Sequence, residues 1–113
     1  MSDLQSPARV VLVPAAGEDG EPVPGVLDAL RAARVVRVYA GPAGLAAGVR
    51  LAEALEVPVE LRVGLVGVAP DAPVPPALDD LADRHLGEAI AVLASTTELV
   101  ELERDTVGWA PVR

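Results

Sequence analysis

Two stretches of this chain are apolar at every position: Val10-Val11-Leu12-Val13 and Ala89-Ile90-Ala91-Val92-Leu93-Ala94. A strand with one face on water alternates apolar and polar residues. A strand without alternation has both faces covered, the usual condition of a parallel strand between two helical layers. This feature restricts the chain to layered α/β architectures. The remaining segments agree. Val35-Val36-Arg37-Val38-Tyr39 reads as a second strand, ended by Gly41-Pro42, and Pro58 to Val63 as a third, shorter one in which Val59, Leu61 and Val63 alternate with Glu60 and Arg62.

Between these blocks the apolar period lengthens to that of a helix. Val23, Val26, Leu27, Leu30 and Ala33 share one face, with Pro24 suited to a first turn. Leu45, Val49, Ala52 and Leu55 mark a helix from about Pro42 to Leu55. Leu78, Leu81 and Ala82 mark another from Pro76 to about Leu86, with Gly87 as a C-cap candidate. Ser95-Thr96-Thr97-Glu98 has the form of a capping box, which predicts a last helix to about Arg104. The order β-α-β-α-β-loop-α-β-α predicts one domain over residues 1–113, a three-layer αβα sandwich on a mainly parallel four-stranded sheet.

Composition narrows the function. Ala, Val and Leu supply 54 residues, Tyr39 and Trp109 are the sole aromatics, and the core is therefore aliphatic. The net charge is -8, and all nine basic residues are Arg. That balance, with two aromatics, argues against a nucleic-acid partner. With no Cys and one His, a thiolate or multi-imidazole metal site is excluded, and no cofactor is implied. No apolar run approaches membrane-spanning length, and no leader pattern opens the chain, so no membrane association and a cytoplasmic location are expected. The absence of Lys, Asn and Phe resembles the codon bias of a GC-rich genome, and a bacterial source is the expectation.

Four segments read in order resemble the histidine phosphatase superfamily, the phosphoglycerate mutase-like proteins. Arg9-Val10-Val11-Leu12-Val13 resembles the opening strand that runs into Arg-His-Gly-Glu in that family. Val38-Tyr39-Ala40-Gly41-Pro42-Ala43-Gly44-Leu45-Ala46 resembles its second strand and "VYSSPLxRA" turn. Arg50 to Glu60 resembles the following helix and strand. Leu78 to Ser95 resembles "lxxlaxrhpGetvlvvsH". The resemblance implies a minimal phosphoglycerate mutase-like domain. We expect sheet order 3-2-1-4 for it, and a ligand crevice between strands one and four, at Ala15-Ala16-Gly17 and Ser95-Thr96. The Pro-rich connection 64–76 stands where the family carries a long insertion.

The same alignment removes the chemistry. The nucleophilic His falls at Ala15, its neighbouring Arg at Pro14, the second Arg at Leu45 and the second His at Ser95. Phosphoryl transfer needs an imidazole nucleophile and cations around three anionic oxygens. Ala, Pro, Leu and Ser supply neither, so no catalytic residue is assigned. The resemblance therefore implies a vestigial pocket (Pro14, Ala15, Ala16, Gly17, Leu45, Ser95, Thr96) in an inactive protein that works through association with a protein partner, a homodimer or an unidentified small molecule. An enzyme of another class, rebuilt around Glu18, Asp19, Ser95 and Thr96, and a structural homo-oligomer are the alternatives. Other residues have plainer readings. Ser95 is an N-cap, Gly41 to Gly44 a packing turn rather than an anion cradle, and the Glu18, Asp19 and Glu21 cluster a solvated loop. His85 lies on a helix surface. Trp109 covers exposed core or anchors an interface.

Overall fold

In the computed structural model, which describes residues 8–14, 25–66, 68–69, 73–96, 99–104 and 108–111, the two wholly apolar blocks become adjacent strands. The strands are β1 (Ala8–Pro14), β2 (Val35–Ala40), β3 (Val59–Leu61), β4 (Ala89–Ala94), β5 (Val100–Arg104) and β6 (Trp109–Pro111). The helices are α1 (Val26–Ala33), α2 (Leu45–Leu55) and α3 (Pro76–Arg84). They form one mixed sheet in the order β3-β2-β4-β1-β5-β6. The β1–β4, β2–β4 and β2–β3 pairs are parallel, whereas β1–β5 and β5–β6 are antiparallel.

The α/β class and the three layers match expectation, and the sheet itself differs in two ways. The first four strands run 3-2-4-1 rather than 3-2-1-4. β4 is buried at all six positions, and it takes the central place between β1 and β2, where both its edges and both its faces are covered. The second difference lies after β4. The expected helix from Ser95 to Arg104 is absent: Ser95 sits in a bend and Val100–Arg104 is a strand. Val100-Glu101-Leu102-Glu103 alternates at period two, so Val100 and Leu102 can pack on the core while the carboxylates face outward. Pairing with β1, Leu12 to Val100 and Val10 to Leu102, then gives the backbone the partners a helix would have supplied.

Each strand contributes alternate residues to two cores. On one face α1 and α2 pack Val26, Leu30, Leu51 and Ala52 onto Val11, Val13, Val38, Ala91 and Leu93. On the other, α3 and the connection after β3 pack Leu78, Leu81, Leu65 and Val68 onto Val10, Leu12, Tyr39, Ile90 and Val92. The distribution of helices follows the strand order. Crossovers β1→β2 and β2→β3 advance one way along the sheet and β3→β4 returns, so a single crossover hand puts α1 and α2 opposite α3.

Helix ends depart slightly from the sequence reading. A single 3₁₀ turn, Pro42–Gly44, precedes α2. α3 stops at Arg84, with His85 rather than Gly87 as its cap, and Gly87 (φ 81°) lies in the turn that leads to β4. Pro24 and the acidic loop of Glu18, Asp19 and Glu21 lie outside the described residues.

Candidate functional site

Ligand crevices in open α/β sheets form beyond the carboxyl ends of the strands, where neighbouring connections diverge. With β4 inserted between β1 and β2, that divergence falls between β2 and β4, not between β1 and β4. β2 leaves toward α2, and β4 leaves toward β5. A cavity of about 290 Å³ opens at this point, walled by the turn Gly41 to Gly44, the end of β4 (Leu93, Ala94, Ser95) and Leu65, Val66 and Val68 from the connection after β3.

Backbone contacts fix these walls. Arg62 donates its N–H to the Ala40 carbonyl (2.9 Å), and Leu65 donates to the Arg62 carbonyl (3.0 Å), bending the chain over the end of β2. Ser95 donates its N–H to the Val68 carbonyl (2.8 Å), which closes the opposite wall. Gly41 is required where the walls meet, because a Cβ there would stand 2.1 Å from the Leu65 carbonyl oxygen. The Gly-rich turn is thus explained by close packing.

Among the described residues the crevice lining is apolar and carries no charge of either sign, and Ser95, exposed at the mouth, brings its one side-chain polar atom. Five of the nine guanidiniums are engaged elsewhere. Arg37 and Arg62 pair with Glu60, Arg9 with Glu101, Arg31 with Asp28 and the Ala54 carbonyl, and Arg104 with Asp79 and Asp83. The loop 15–22, outside the described residues, contains three carboxylates and no cation in its sequence. Among the described residues no group of three or more His, Cys, Asp or Glu is placed to hold a metal ion, and no helix is long and apolar enough to cross a membrane.

The expected pocket residues are gathered only in part. Ser95 lines the crevice. Pro14 is in register with Ala94, one strand further on, and is buried. Leu45 opens α2 directly after the crevice turn but packs into the core under α1 and α2 instead of facing the opening. Thr96 donates its N–H to the Ala94 carbonyl (3.1 Å) and does not line the crevice. Ala15, Ala16 and Gly17 lie outside the described residues.

A polar constellation that the sequence reading dismissed stands at the other end of β4. His85 is not a surface residue of a helix face. Its side chain is 12% exposed, its Nδ1 is 2.8 Å from Glu88 Oε1, and its Nε2 is 2.7 Å from the Tyr39 hydroxyl. A carboxylate accepts only, so Nδ1–H donates to Glu88, and in the neutral imidazole Nε2 then accepts from the Tyr39 O–H. Tyr39 is buried, which raises its pKa above the ordinary 10.0 against the lowering effect of Arg37, Arg62 and Arg84. The chain Glu88–His85–Tyr39 ties the end of α3 to β2 beneath the core. Its Glu88 end borders the hollow at the amino ends of the strands, and neither His85 nor Tyr39 lines that hollow. Trp109, on β6, is half-buried against the α3-side core, and its Nε1 donates to Asp79 Oδ1 (2.8 Å), so the indole is held within the chain.

At the amino ends of the strands a wider hollow of about 600 Å³ is bordered by Arg9, Arg34, Glu88 and Glu103, two cations facing two carboxylates. Such a balanced rim offers no net charge to an ionic ligand. Compared with protein-family models, curated proteins and solved structures, the chain finds no match.

Proposed function

We propose that this protein is a degenerate, catalytically inactive histidine phosphatase-like domain that acts as a binding subunit, its crevice receiving an uncharged apolar group of a partner or small molecule. The observation that carries this reading is the crevice itself. It occupies the carboxyl ends of β2 and β4, beside β1, yet Gly, Ala, Pro, Val, Leu and one Ser line it. Phosphate held there would lose water and gain no counter-charge, a transfer that costs far more than Ser95 could return.

Three further observations support the family component. The segments that carry the resemblance fall on strand–turn–helix units in chain order: β1, β2 into α2, α2 into β3, and α3 into β4. The carboxyl ends that would bring the superfamily's reactive residues together lie on adjacent strands. The positions matched to those residues in the described chain, Pro14, Leu45 and Ser95, hold no cation. An enzyme rebuilt around Ser95 gains nothing from the geometry, because the sole imidazole is committed to Tyr39 and Glu88 at the opposite end of β4.

The test pairs catalysis with binding. The full chain is expected to hydrolyse p-nitrophenyl phosphate no faster than buffer. Inorganic phosphate should leave the amide resonances of Gly41, Gly44 and Ser95 unmoved, whereas benzene, small enough for the cavity, should shift them. Clear turnover by the wild-type chain that survives substitution of Ala15 and Ser95 would refute the inactive-site reading. Phosphate shifts at Gly41 to Gly44 without a benzene response would refute the apolar one.

A further inference from the structure

β3 is an outer strand of the sheet, and only its inner edge is paired. The phase of that pairing is fixed. Val38 donates to the Pro58 carbonyl and Arg62 donates to the Ala40 carbonyl, both at 2.9 Å. In a parallel ladder alternate residues bond to one neighbour. The Pro58 carbonyl, the backbone groups of Glu60 and the Arg62 N–H therefore turn inward, Val59 and Leu61 turn theirs outward, and the chain then turns at Val63 and Gly64.

The side chains sort by face in the same way. Val59 packs under α2, so Leu61 shares that face, while Arg62 lies over the Tyr39 ring on the α3 side, 6.0 Å from its centroid, together with Glu60. Among the described residues, three of the six exposed large apolar side chains lie at this edge: Leu61 (44%) and Val63 (73%), with Val49 (37%) on the neighbouring flank of α2. Val49 lies about 200° around the helix from Leu51, which is buried, and away from Ala54, whose carbonyl accepts from Arg31 of α1. Its flank is the one that continues the outer edge.

Charged side chains are one common guard of an edge strand against pairing with a second copy. Here the guard is self-complementary. In an antiparallel pairing centred on Leu61, residue numbers in opposition sum to a constant. Leu61 then faces Leu61, and Glu60 faces Arg62 of the second copy. The same register brings the outward N–H and C=O of Leu61 opposite their counterparts, which makes a hydrogen-bonded pair. Charge pattern and hydrogen-bond phase both select this one register.

We propose that β3 pairs antiparallel with β3 of a second copy of this chain about a two-fold axis at Leu61, joining two sheets into one and covering Leu61, Val63 and Val49. Each Glu60 meets the opposite Arg62, and the arrangement is isologous, so it closes at two copies. It stands on the edge strand alone and is independent of what the crevice binds.

Sedimentation equilibrium of the full chain at about 0.1 mM should give twice the 11.6 kDa chain mass. Glu60→Arg sets two guanidiniums opposite each other on both sides of the axis, and Arg62→Glu sets two carboxylates so. Each alone should weaken self-association at least about tenfold, while an equimolar mixture of the two variants should form a mixed dimer at wild-type strength. In the unmodified chain, dilution should speed hydrogen exchange at the Leu61 amide and leave Ile90 unchanged. A wild-type chain that stays monomeric at about 0.5 mM overturns the proposal. So does a dimer indifferent to both substitutions, or one whose Leu61 exchange ignores concentration.

Discussion

The two faces of the sheet are built from the same strands and held in different ways. On the first face two helices, of 8 and 11 residues, cover the strands with aliphatic side chains alone. On the second, one helix of 9 residues and an irregular connection cover them, and polar tethers complete the cover. Tyr39 to His85 to Glu88, Trp109 to Asp79, and Arg104 to Asp79 and Asp83 all cross on this side. Packed aliphatic area is indifferent to pH and salt, whereas charged hydrogen bonds respond to both. The first face should therefore behave as bulk core and the second as a set of separable latches.

The largest expected effect is on the first face. Leu30 is fully buried between α1 and the strands, and Leu30→Ala removes three carbons from that site. A loss of about 3 kcal/mol in urea-measured stability is expected, equal at low and at high salt. A loss that varied with salt would erase the contrast between the faces.

Asp79→Ala tests the latches. The carboxylate accepts from Trp109 and faces Arg104 at 3.3 Å, but it is 44% exposed, so the expected cost is about 1 kcal/mol and should shrink as salt rises. Trp109 is the single tryptophan, which gives the variant its own readout: its emission should move to longer wavelength while far-ultraviolet circular dichroism stays constant. An unchanged emission maximum would show that the indole is seated by packing alone.

The first face was nearly legible in the sequence, whereas on the second α3 was legible and its tethers and β5 were not, for a physical reason. β1, β2, β4, α1 and α2 are written in runs and periods, signals confined to a few consecutive residues. Strand order is decided between elements. That β4 rather than β1 lies beside β2 is decided by pairing between elements: the two blocks share the middle of the six-stranded sheet, β4 covered by β2 and β1 by β5. β5 itself satisfies two periods, since Leu99, Val100 and Leu102 fit a short helix face as well as a strand, and the Ser95 to Glu98 signature tipped the local reading toward helix. Only pairing with β1 resolves it. The crevice moved with the strand order, from β1/β4 to β2/β4, and Leu45 turned inward. His85 was misread because its partner Tyr39 is 46 residues away, and nothing near position 85 announces it.

The smallest effect is the most specific to the second face. Tyr39 donates to His85 from a buried position, so the folded chain favours the neutral phenol and holds its pKa above 10.0. A raised pKa in the folded state means that the unfolded chain releases the proton first. The contribution is complete below about pH 10 and is lost as pH climbs through the folded-state value. The composition isolates this limb: with no Lys and no Cys, Tyr39 is the one side chain that titrates between the α-amino group and arginine. Stability should therefore be flat near pH 9 and then fall with the slope of one proton, at most about 1.4 kcal/mol per pH unit. Tyr39→Phe should cost about 1 kcal/mol at pH 7, by leaving His85 Nε2 without its donor, and should abolish the alkaline slope. A slope that persisted in the phenylalanine variant would place the alkaline transition in the ion pairs of Arg104 and Arg62 instead, and the latch at Tyr39 would then be packing rather than a hydrogen bond.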